Sequence, residues 1–203
     1  MTFKDHIIKM LPLERKKELS EVRANLNSSQ LKIKIENYIQ RFDGIFTYDE
    51  IISQIETNDL VASFFIKNPI RQNFCEKECA KWIGVEKLPS KGKNCIRFNE
   101  EGEIVNQKTV SSSKSADFLI EGIYFTQKYT GENTGGAQDN QFNDVVDFLT
   151  KGSIYYKVGA IVDGAYWEDM GNKEKLIENF QKNPNVIILS ADDIKEGKIK
   201  NEY

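Results

Sequence analysis

The segment at residues 116–130 (ADFLIEGIYFTQKYT) constrains the fold most, because it predicts a β-hairpin. Apolar and aromatic residues run up to Glu121-Gly122, which is a two-residue turn signal, and they resume directly after it. We therefore expect an antiparallel pair of strands in the second half of the chain. Pairing of the strands also brings Asp117, on the first strand, towards Lys128 on the second.

The chain before the hairpin predicts helices. Apolar residues recur near helical spacing through residues 1–66, and Thr47 and Glu50 are spaced as in a capping box at the start of one helix. Residues 71–84 predict an amphipathic helix that ends at its glycine. We expect residues 1–66 to form a helical N-terminal sub-domain, a candidate for recognition or dimerisation.

Strands and helices alternate through the rest of the chain. Residues 95–105 predict two short strands, and a glycine-rich loop at 131–136 follows the hairpin. The later predicted elements are a helix at 137–152, a strand at 156–167, a helix at 173–181 and a strand at 185–191. The order helix, three strands, helix, strand, helix, strand predicts an α/β fold of the α+β type, a mixed sheet with helices packed on it. We assign this core to residues 67–203.

The charge balance excludes several classes of protein. The net charge is −3, from 28 basic and 31 acidic residues, which gives no overall electrostatic sign of a nucleic-acid partner. Locally the sign differs, because residues 81–130 carry eight basic and six acidic side chains. The one histidine, His6, excludes a zinc protease or a histidine-rich metal cluster.

The cysteines and the apolar runs bear on the compartment. Three cysteines, an odd number, suit a reducing environment and are most simply small buried thiols. No apolar run approaches the roughly 20 residues of a membrane span. We therefore expect a cytoplasmic protein with no membrane partner.

An aspartate and a lysine on adjacent strands suit metal-assisted hydrolysis of a phosphodiester. The carboxylate of Asp117 would hold Mg²⁺, which polarises a phosphoryl oxygen and lowers the pKa of a bound water. The ammonium of Lys128 would orient that water or help to deprotonate it, and would steady the charge that develops on the phosphate. Strand side chains alternate, so Thr126 shares a face with Lys128 while Gln127 points to the other face.

The hairpin ADFLIEGIYFTQK resembles the catalytic hairpin of the PD-(D/E)XK nuclease superfamily, whose pattern is an aspartate, a β turn, an acidic residue, any residue and a lysine. The element order also resembles that family's core of a helix, three strands, a helix and a strand. KYTGENTGGAQDNQFNDVVDFL, the later IVDGAYW, and KNPIRQNFCEKECAKWIG as the core's first helix are similar to type II restriction endonucleases in particular. The resemblance covers residues 67–191.

The resemblance implies a function and partners. It implies a Mg²⁺-dependent endodeoxyribonuclease that cleaves double-stranded DNA at a short specific sequence. Restriction enzymes of this kind usually act as homodimers, whose two-fold symmetry matches a palindromic site. A DNA methyltransferase of the same specificity would be the partner enzyme. The alternatives are a repair or junction-cleaving nuclease of the same superfamily and an inactive DNA-binding relative.

One position departs from the family pattern, because Thr126 stands where the second acidic residue is expected. A neutral oxygen from Thr126 or Gln127 could replace it as a ligand of a hard cation. Loss of activity is another explanation. A carboxylate elsewhere is the third, and the candidates are Glu76 or Glu78 on the helix at 71–84, Glu121 at the turn and Asp139 at the next helix start. We favour Glu76, because helix carboxylates often complete this family's metal site.

Further residues are candidates for contact with DNA. Amide and basic side chains at helix starts and beside the hairpin could bind phosphates or base edges. These are Arg71, Gln72, Lys114, Gln127, Gln138, Asn140 and Gln141. Basic residues near the hairpin are candidates for the positive surface that phosphates require, namely Lys87, Lys91, Lys93, Arg97, Lys108 and Lys114.

Overall fold

The computed structural model describes residues 1–66, 70–131 and 137–201, with the backbone alone at 70–72, 137–139 and 200–201. The chain divides into two compact units. The helical unit comprises His6–Ile70, and the sheet unit comprises Met1–Asp5 together with Arg71–Tyr203. The first five residues of the chain, which include the start of its first helix, thus belong to the sheet unit.

The helical unit confirms the helices predicted for residues 1–66. They are α1 Phe3–Ala24, which begins within the sheet unit, α2 Ser29–Arg41, α3 Tyr48–Thr57 and α4 Asp59–Phe65. The capping box is confirmed, since the Thr47 hydroxyl accepts from the Glu50 N–H at 3.3 Å and the Glu50 carboxylate accepts from the Thr47 N–H at 2.8 Å. Apolar side chains one turn apart form the core of this unit: Leu31, Ile35, Ile51, Ile55, Ala62 and Phe65.

The sheet unit contains a mixed sheet of four strands with helices packed against it. Its strands are β3 Phe118–Ile120, β4 Ile123–Tyr129, β5 Val158–Asp163 and β6 Val186–Leu189, and they lie in that order. β3 pairs antiparallel with β4, whereas β4 with β5 and β5 with β6 are parallel. The helices are α5 Ile70–Ile83, α6 Ala137–Gly152, α7 Ala165–Glu168, α8 Asn172–Phe180 and α9 Ala191–Lys195, followed by a 3₁₀ turn at Lys198–Asn201.

The hairpin turn is the one that its residues predict. Glu121 has φ 50° and Gly122 has φ 81°, so both central residues are in the left-handed region. A type I′ turn requires positive φ at both positions, and its twist matches that of the flanking strands. The turn therefore fixes the register, which places Ile120 opposite Ile123 and Phe118 opposite Phe125.

Aromatic side chains fill the space between the sheet and its helices. Phe148 and Leu149 of α6 are fully buried, as is Trp167 of α7. The ring of Phe148 meets Phe98 at 5.2 Å between centroids, in an edge-to-face arrangement that aromatic pairs favour. Close packing also explains Gly159 in β5, because a Cβ there would lie 2.2 Å from the Phe125 ring.

Two details of the predicted order are wrong. The two short strands predicted at 95–105 are confirmed as β1 Arg97–Phe98 and β2 Ile104–Val105, but they form a separate two-stranded sheet, and the described residues before α6 contain four strands rather than three. The strand predicted at 156–167 ends at Asp163, since Gly164 takes φ 99° and begins α7. A Cβ at Gly164 would lie 2.3 Å from the Thr130 carbonyl oxygen, so only glycine fits this close approach.

The N-terminal residues are anchored in the sheet unit by α9. The N–H of Phe3 donates to both carboxylate oxygens of Asp192, at 3.0 and 3.1 Å, and the Trp82 indole N–H donates to the same side chain at 2.9 Å. The Phe3 ring is fully buried and contacts the rings of Trp82 and Tyr129. In the described residues, no helix is long and apolar enough to cross a membrane.

Candidate catalytic site

Asp117 lies at the edge of the hairpin, one residue before β3. Its N–H donates to the Phe125 carbonyl at 2.7 Å, which continues the pairing of the two strands and places it opposite Thr126. Its carboxylate oxygen Oδ2 accepts from the Gln127 N–H at 2.8 Å and from the Thr126 hydroxyl at 3.4 Å. Only 5% of the residue is exposed, so the carboxylate is held by the next strand rather than by water.

Burial and opposite charges act on this carboxylate together. The pKa of Asp117 is raised to about 6, first by burial and then by the nearby negative charge of Glu76. Lys128, the Gln127 N–H and Lys87 act in the other direction. The charges that act on Asp117 are therefore those of the Glu76 carboxylate on α5 and of two ammonium groups, Lys128 and Lys87.

Glu76 reaches the site paired with a lysine. Its carboxylate bonds the Lys87 ammonium, which also bonds the Asn73 side chain at 3.4 Å, one turn earlier on α5. The chain turns back after α5, and the Leu88 N–H donates to the Asp117 carbonyl at 2.8 Å. This backbone bond brings the neighbouring residue Lys87 close to the start of the hairpin, although the two are far apart in sequence.

Lys128 and Thr126 occupy β4 at alternate positions. The two side chains share a face because strand side chains alternate, and both are buried, with 9% and 1% exposed. The charge of Lys128 lowers the pKa of Asp117, so the two groups lie within electrostatic reach of each other. The hairpin therefore assembles Asp117, Thr126 and Lys128 as their spacing predicts.

A second buried carboxylate lies at the end of the neighbouring strand. Asp163 accepts from the Ala191 N–H at 3.1 and 3.2 Å, and burial raises its pKa to about 8. The thiol of Cys79 on α5 has its pKa raised well above the usual value, first by burial and then by the charges of Asp163 and Asp117. A thiol in such surroundings is a structural group rather than a nucleophile.

The donor set is suited to a hard divalent cation. Asp117 and Glu76 supply carboxylate oxygens, and the Thr126 hydroxyl lies against Asp117. Among the described residues, no group of three or more His, Cys, Asp and Glu side chains is close enough to hold a metal. Mg²⁺ commonly binds through one or two carboxylates and completes its coordination with waters and substrate phosphates. The residues therefore fit Mg²⁺, but not a closed protein cage.

The other candidate acids lie differently. Glu78 is buried and pairs with Lys81 at 2.5 Å. Glu121 is an exposed turn residue at the far end of β4 from Lys128. The side chain of Asp139 lies outside the described residues. Glu76 is thus the candidate whose charge acts on Asp117.

The residues predicted to contact DNA differ in their exposure and in their bonding partners. Lys114 pairs with Asp144 of α6 at 3.7 Å, and Asn140 is exposed on the same helix. Gln141 is half-buried and accepts from the Thr130 hydroxyl at 2.7 Å, a bond that ties α6 to the end of β4.

Two basic and amide candidates are turned inward. The Gln127 side chain is fully buried, so Gln127 reaches the site through its backbone N–H. Arg97 is buried and donates to the Ser113 carbonyl at 3.0 Å, which removes it from the predicted positive surface. The side chains of Arg71, Gln72 and Gln138 lie outside the described residues.

The sequence pattern predicted Lys87 as part of a positive surface for phosphates near the hairpin, and it did not predict the ion pair of Lys87 with Glu76. The available signal was the glycine that ends α5 at residue 84, with φ 72°, after which the chain must reverse. No protein-family model, curated protein or solved structure matches this chain. The case for its function therefore depends on the residues of the hairpin and on the geometry around them.

Proposed function

We propose that the chain is a divalent-metal-dependent phosphodiesterase that acts on DNA. More specifically, we propose a Mg²⁺-dependent endodeoxyribonuclease of the type II restriction class, with a PD-(D/E)XK-like core. The observation that carries the proposal is the joint placement of Asp117, Lys128 and Glu76, with Asp117 held between acidic and basic neighbours.

Each side chain has a role in the proposed reaction. Asp117, with a pKa of about 6, is mostly ionised at neutral pH and so offers an anionic oxygen. Glu76 supplies a second carboxylate, and the Thr126 hydroxyl holds Asp117 at 3.4 Å. Mg²⁺, when bound, would polarise a phosphoryl oxygen and lower the pKa of a coordinated water. Lys128 positions the attacking water and stabilises the charge that develops on the phosphate.

The proposed substrate is double-stranded DNA, and the proposed assembly is a homodimer. Exposed groups near α6, such as Asn140, are candidates for contact with DNA. Two copies related by a two-fold axis would read the two halves of a palindromic site. A DNA methyltransferase of the same specificity is the proposed partner enzyme.

Cleavage of plasmid and phage DNA tests this proposal. We expect the purified chain to linearise supercoiled plasmid in Mg²⁺ and to give discrete fragments from phage DNA. Cleavage is expected to stop when EDTA is added. Asp117→Asn and Lys128→Met are expected to abolish cleavage, with Lys77→Gln, an exposed residue of α5, as the charge-matched control for Lys128. Nicking of branched DNA, without discrete fragments from linear DNA, would instead indicate a repair or junction nuclease.

A non-catalytic DNA-binding protein is the second candidate. Thr126 at the position of the family's second acid favours it, as does the lack of a third acidic or imidazole ligand among the described residues. This candidate predicts DNA binding without cleavage in Mg²⁺ or Mn²⁺. A wild-type chain that binds DNA tightly but never cleaves it would overturn the enzymatic proposal.

A further inference from the structure

The Glu76–Lys87 ion pair lies inside the proposed metal site rather than on the surface. The side chains are only 13% and 20% exposed, and the charges of both residues act on Asp117. Surface ion pairs contribute little and exchange easily, whereas a half-buried pair is held by the surrounding protein. Solubility therefore does not explain why the Glu76–Lys87 pair lies at this position.

The protein backbone fixes the position of Lys87. The Leu88 N–H donates to the Asp117 carbonyl at 2.8 Å, so the residue before Leu88 is tied to the same strand end as the catalytic aspartate. The Lys87 ammonium also donates to the Asn73 side chain at 3.4 Å, one turn before Glu76 on α5. Two contacts therefore hold Lys87 beside Glu76, namely the backbone bond of Leu88 and the side-chain contact with Asn73.

The Lys87 ammonium and a divalent cation would compete for the carboxylate of Glu76. A buried carboxylate needs a positive partner, and Lys87 supplies one when no metal is bound. A divalent cation shared by Asp117 and Glu76 would neutralise the same oxygens. Two cations a few ångströms apart in a partly buried site repel each other strongly. The ion pair and the metal are therefore alternative partners of Glu76.

We propose that Lys87 is an internal counter-ion of the site, which holds Glu76 in the absence of metal and competes with the divalent cation for it. This inference rests on the proposed function, because it assumes that Glu76 and Asp117 hold a metal. Lys87 is a positioning residue in this scheme. It sets the affinity for the cation and does not touch the substrate.

Titration of the full chain with Mn²⁺ in a calorimeter tests the proposal. We expect Lys87→Gln to bind Mn²⁺ about five- to tenfold more tightly than the wild type, because the competing ammonium is gone. Lys77→Gln removes the same charge from the exposed face of α5, next to Glu76 in sequence, and is expected to change the affinity less than twofold. Lys87→Met, which keeps most of the aliphatic stem, replaces Lys87→Gln if thermal unfolding shows that the latter is not folded.

A double-mutant cycle separates competition from general repulsion. In a Glu76→Gln background, Lys87→Gln is expected to change Mn²⁺ affinity less than twofold, because the shared ligand is absent. An equal gain in both backgrounds would overturn the proposal, and so would unchanged or weaker binding by Lys87→Gln. If the wild type shows no Mn²⁺ binding that Asp117→Asn removes, the proposed function itself fails, which is a distinct result.

Discussion

Asp117 and Asp163 are two buried aspartates of one sheet, the first just before β3 and the second at the end of β5, and they differ in what surrounds them. Asp117 is buried beside two lysines, and its pKa is raised to about 6. Asp163 is buried against the start of α9, with Glu168 and Asp192 raising its pKa and the Ala191 N–H and Lys173 lowering it, to a value of about 8. At neutral pH the first is mostly ionised, while the second is mostly protonated.

The difference in surroundings fits the proposed roles, with Asp117 as a ligand of the metal and Asp163 as a structural group. Burial alone raises the pKa of both groups, so burial does not identify the functional residue. The charged form of Asp117 is favoured by two ammonium groups, Lys128 and Lys87, and by the Gln127 N–H. Asp163 has one ammonium group, Lys173, to favour its charged form, and it serves as a mostly neutral acceptor for the N–H of Ala191.

The largest expected effect is on cleavage. Asp117→Asn is expected to lower the rate of plasmid cleavage on the order of 10⁴-fold, equivalent to about 5 kcal/mol, because an amide is a poor ligand for a hard cation. Asp163→Asn is expected to leave the rate within about threefold. Initial rates of supercoiled plasmid loss in Mg²⁺, with DNA affinity measured separately, check both values. Equal losses in the two variants would contradict the division of roles.

The pH dependence of stability is expected to come largely from Asp163. Its folded-state pKa is raised to about 8, above the model-peptide value of 3.8, so the folded protein holds this proton more tightly than the unfolded chain. Stability from this group is therefore present below pH 4 and is lost as the pH rises towards 8. We expect Asp163→Asn to be more stable than the wild type by about 2–4 kcal/mol at pH 8.5, and by little at pH 4.

Urea unfolding at both pH values measures this difference. Asp117→Asn serves as the comparison. The pKa of Asp117 is raised less than that of Asp163, so this substitution should increase the stability at high pH by less. A gain that is independent of pH would show that the substitution acts through packing rather than through the proton.

The fold was predictable wherever local chemistry decides it. The turn at Glu121 and Gly122, the capping box at Thr47 and the glycine that ends α5 are all local signals, and each is confirmed. The prediction failed at Gly164, where the strand pattern continues but the backbone must pass the Thr130 carbonyl. That contact is set by the neighbouring strand, so no local pattern contains it. α9 was missed although Ser190 forms a capping box at its start.

The candidate site was predictable only in its hairpin half. Asp117, Thr126 and Lys128 come together because strand spacing and a two-residue turn determine their faces. Lys87 reaches them through the Leu88–Asp117 backbone bond, which depends on the path of the chain after α5. Glu76 was favoured on the resemblance alone, and its position near Asp117 depends on how α5 packs.

A further pair of substitutions tests two glycines with positive φ, Gly164 directly after Asp163 and Gly122 in the hairpin turn. Gly164→Ala is expected to destabilise the protein by about 3 kcal/mol or more, because φ is 99° and the new Cβ would lie 2.3 Å from the Thr130 oxygen. Gly122→Ala is expected to lose only about 1 kcal/mol, since φ is 81° but nothing lies within 4 Å of the new Cβ. Chemical denaturation of both variants checks the ranking, and a larger loss at Gly122 would contradict it.

The smallest expected effect concerns the helix that partners Asp163. The Ser190 hydroxyl accepts from the Asp193 N–H at 3.1 Å, and the Asp193 carboxylate accepts from the Ser190 N–H at 2.9 Å. Ser190→Ala removes half of this capping box and is expected to destabilise the protein by about 1 kcal/mol. Because α9 carries the N–H that Asp163 accepts, the loss should be similar in the Asp163→Asn background if the helix is held by its own cap. A loss that disappears there, measured by urea unfolding at pH 7, would mean instead that the cap acts by presenting the Ala191 N–H to the buried carboxyl.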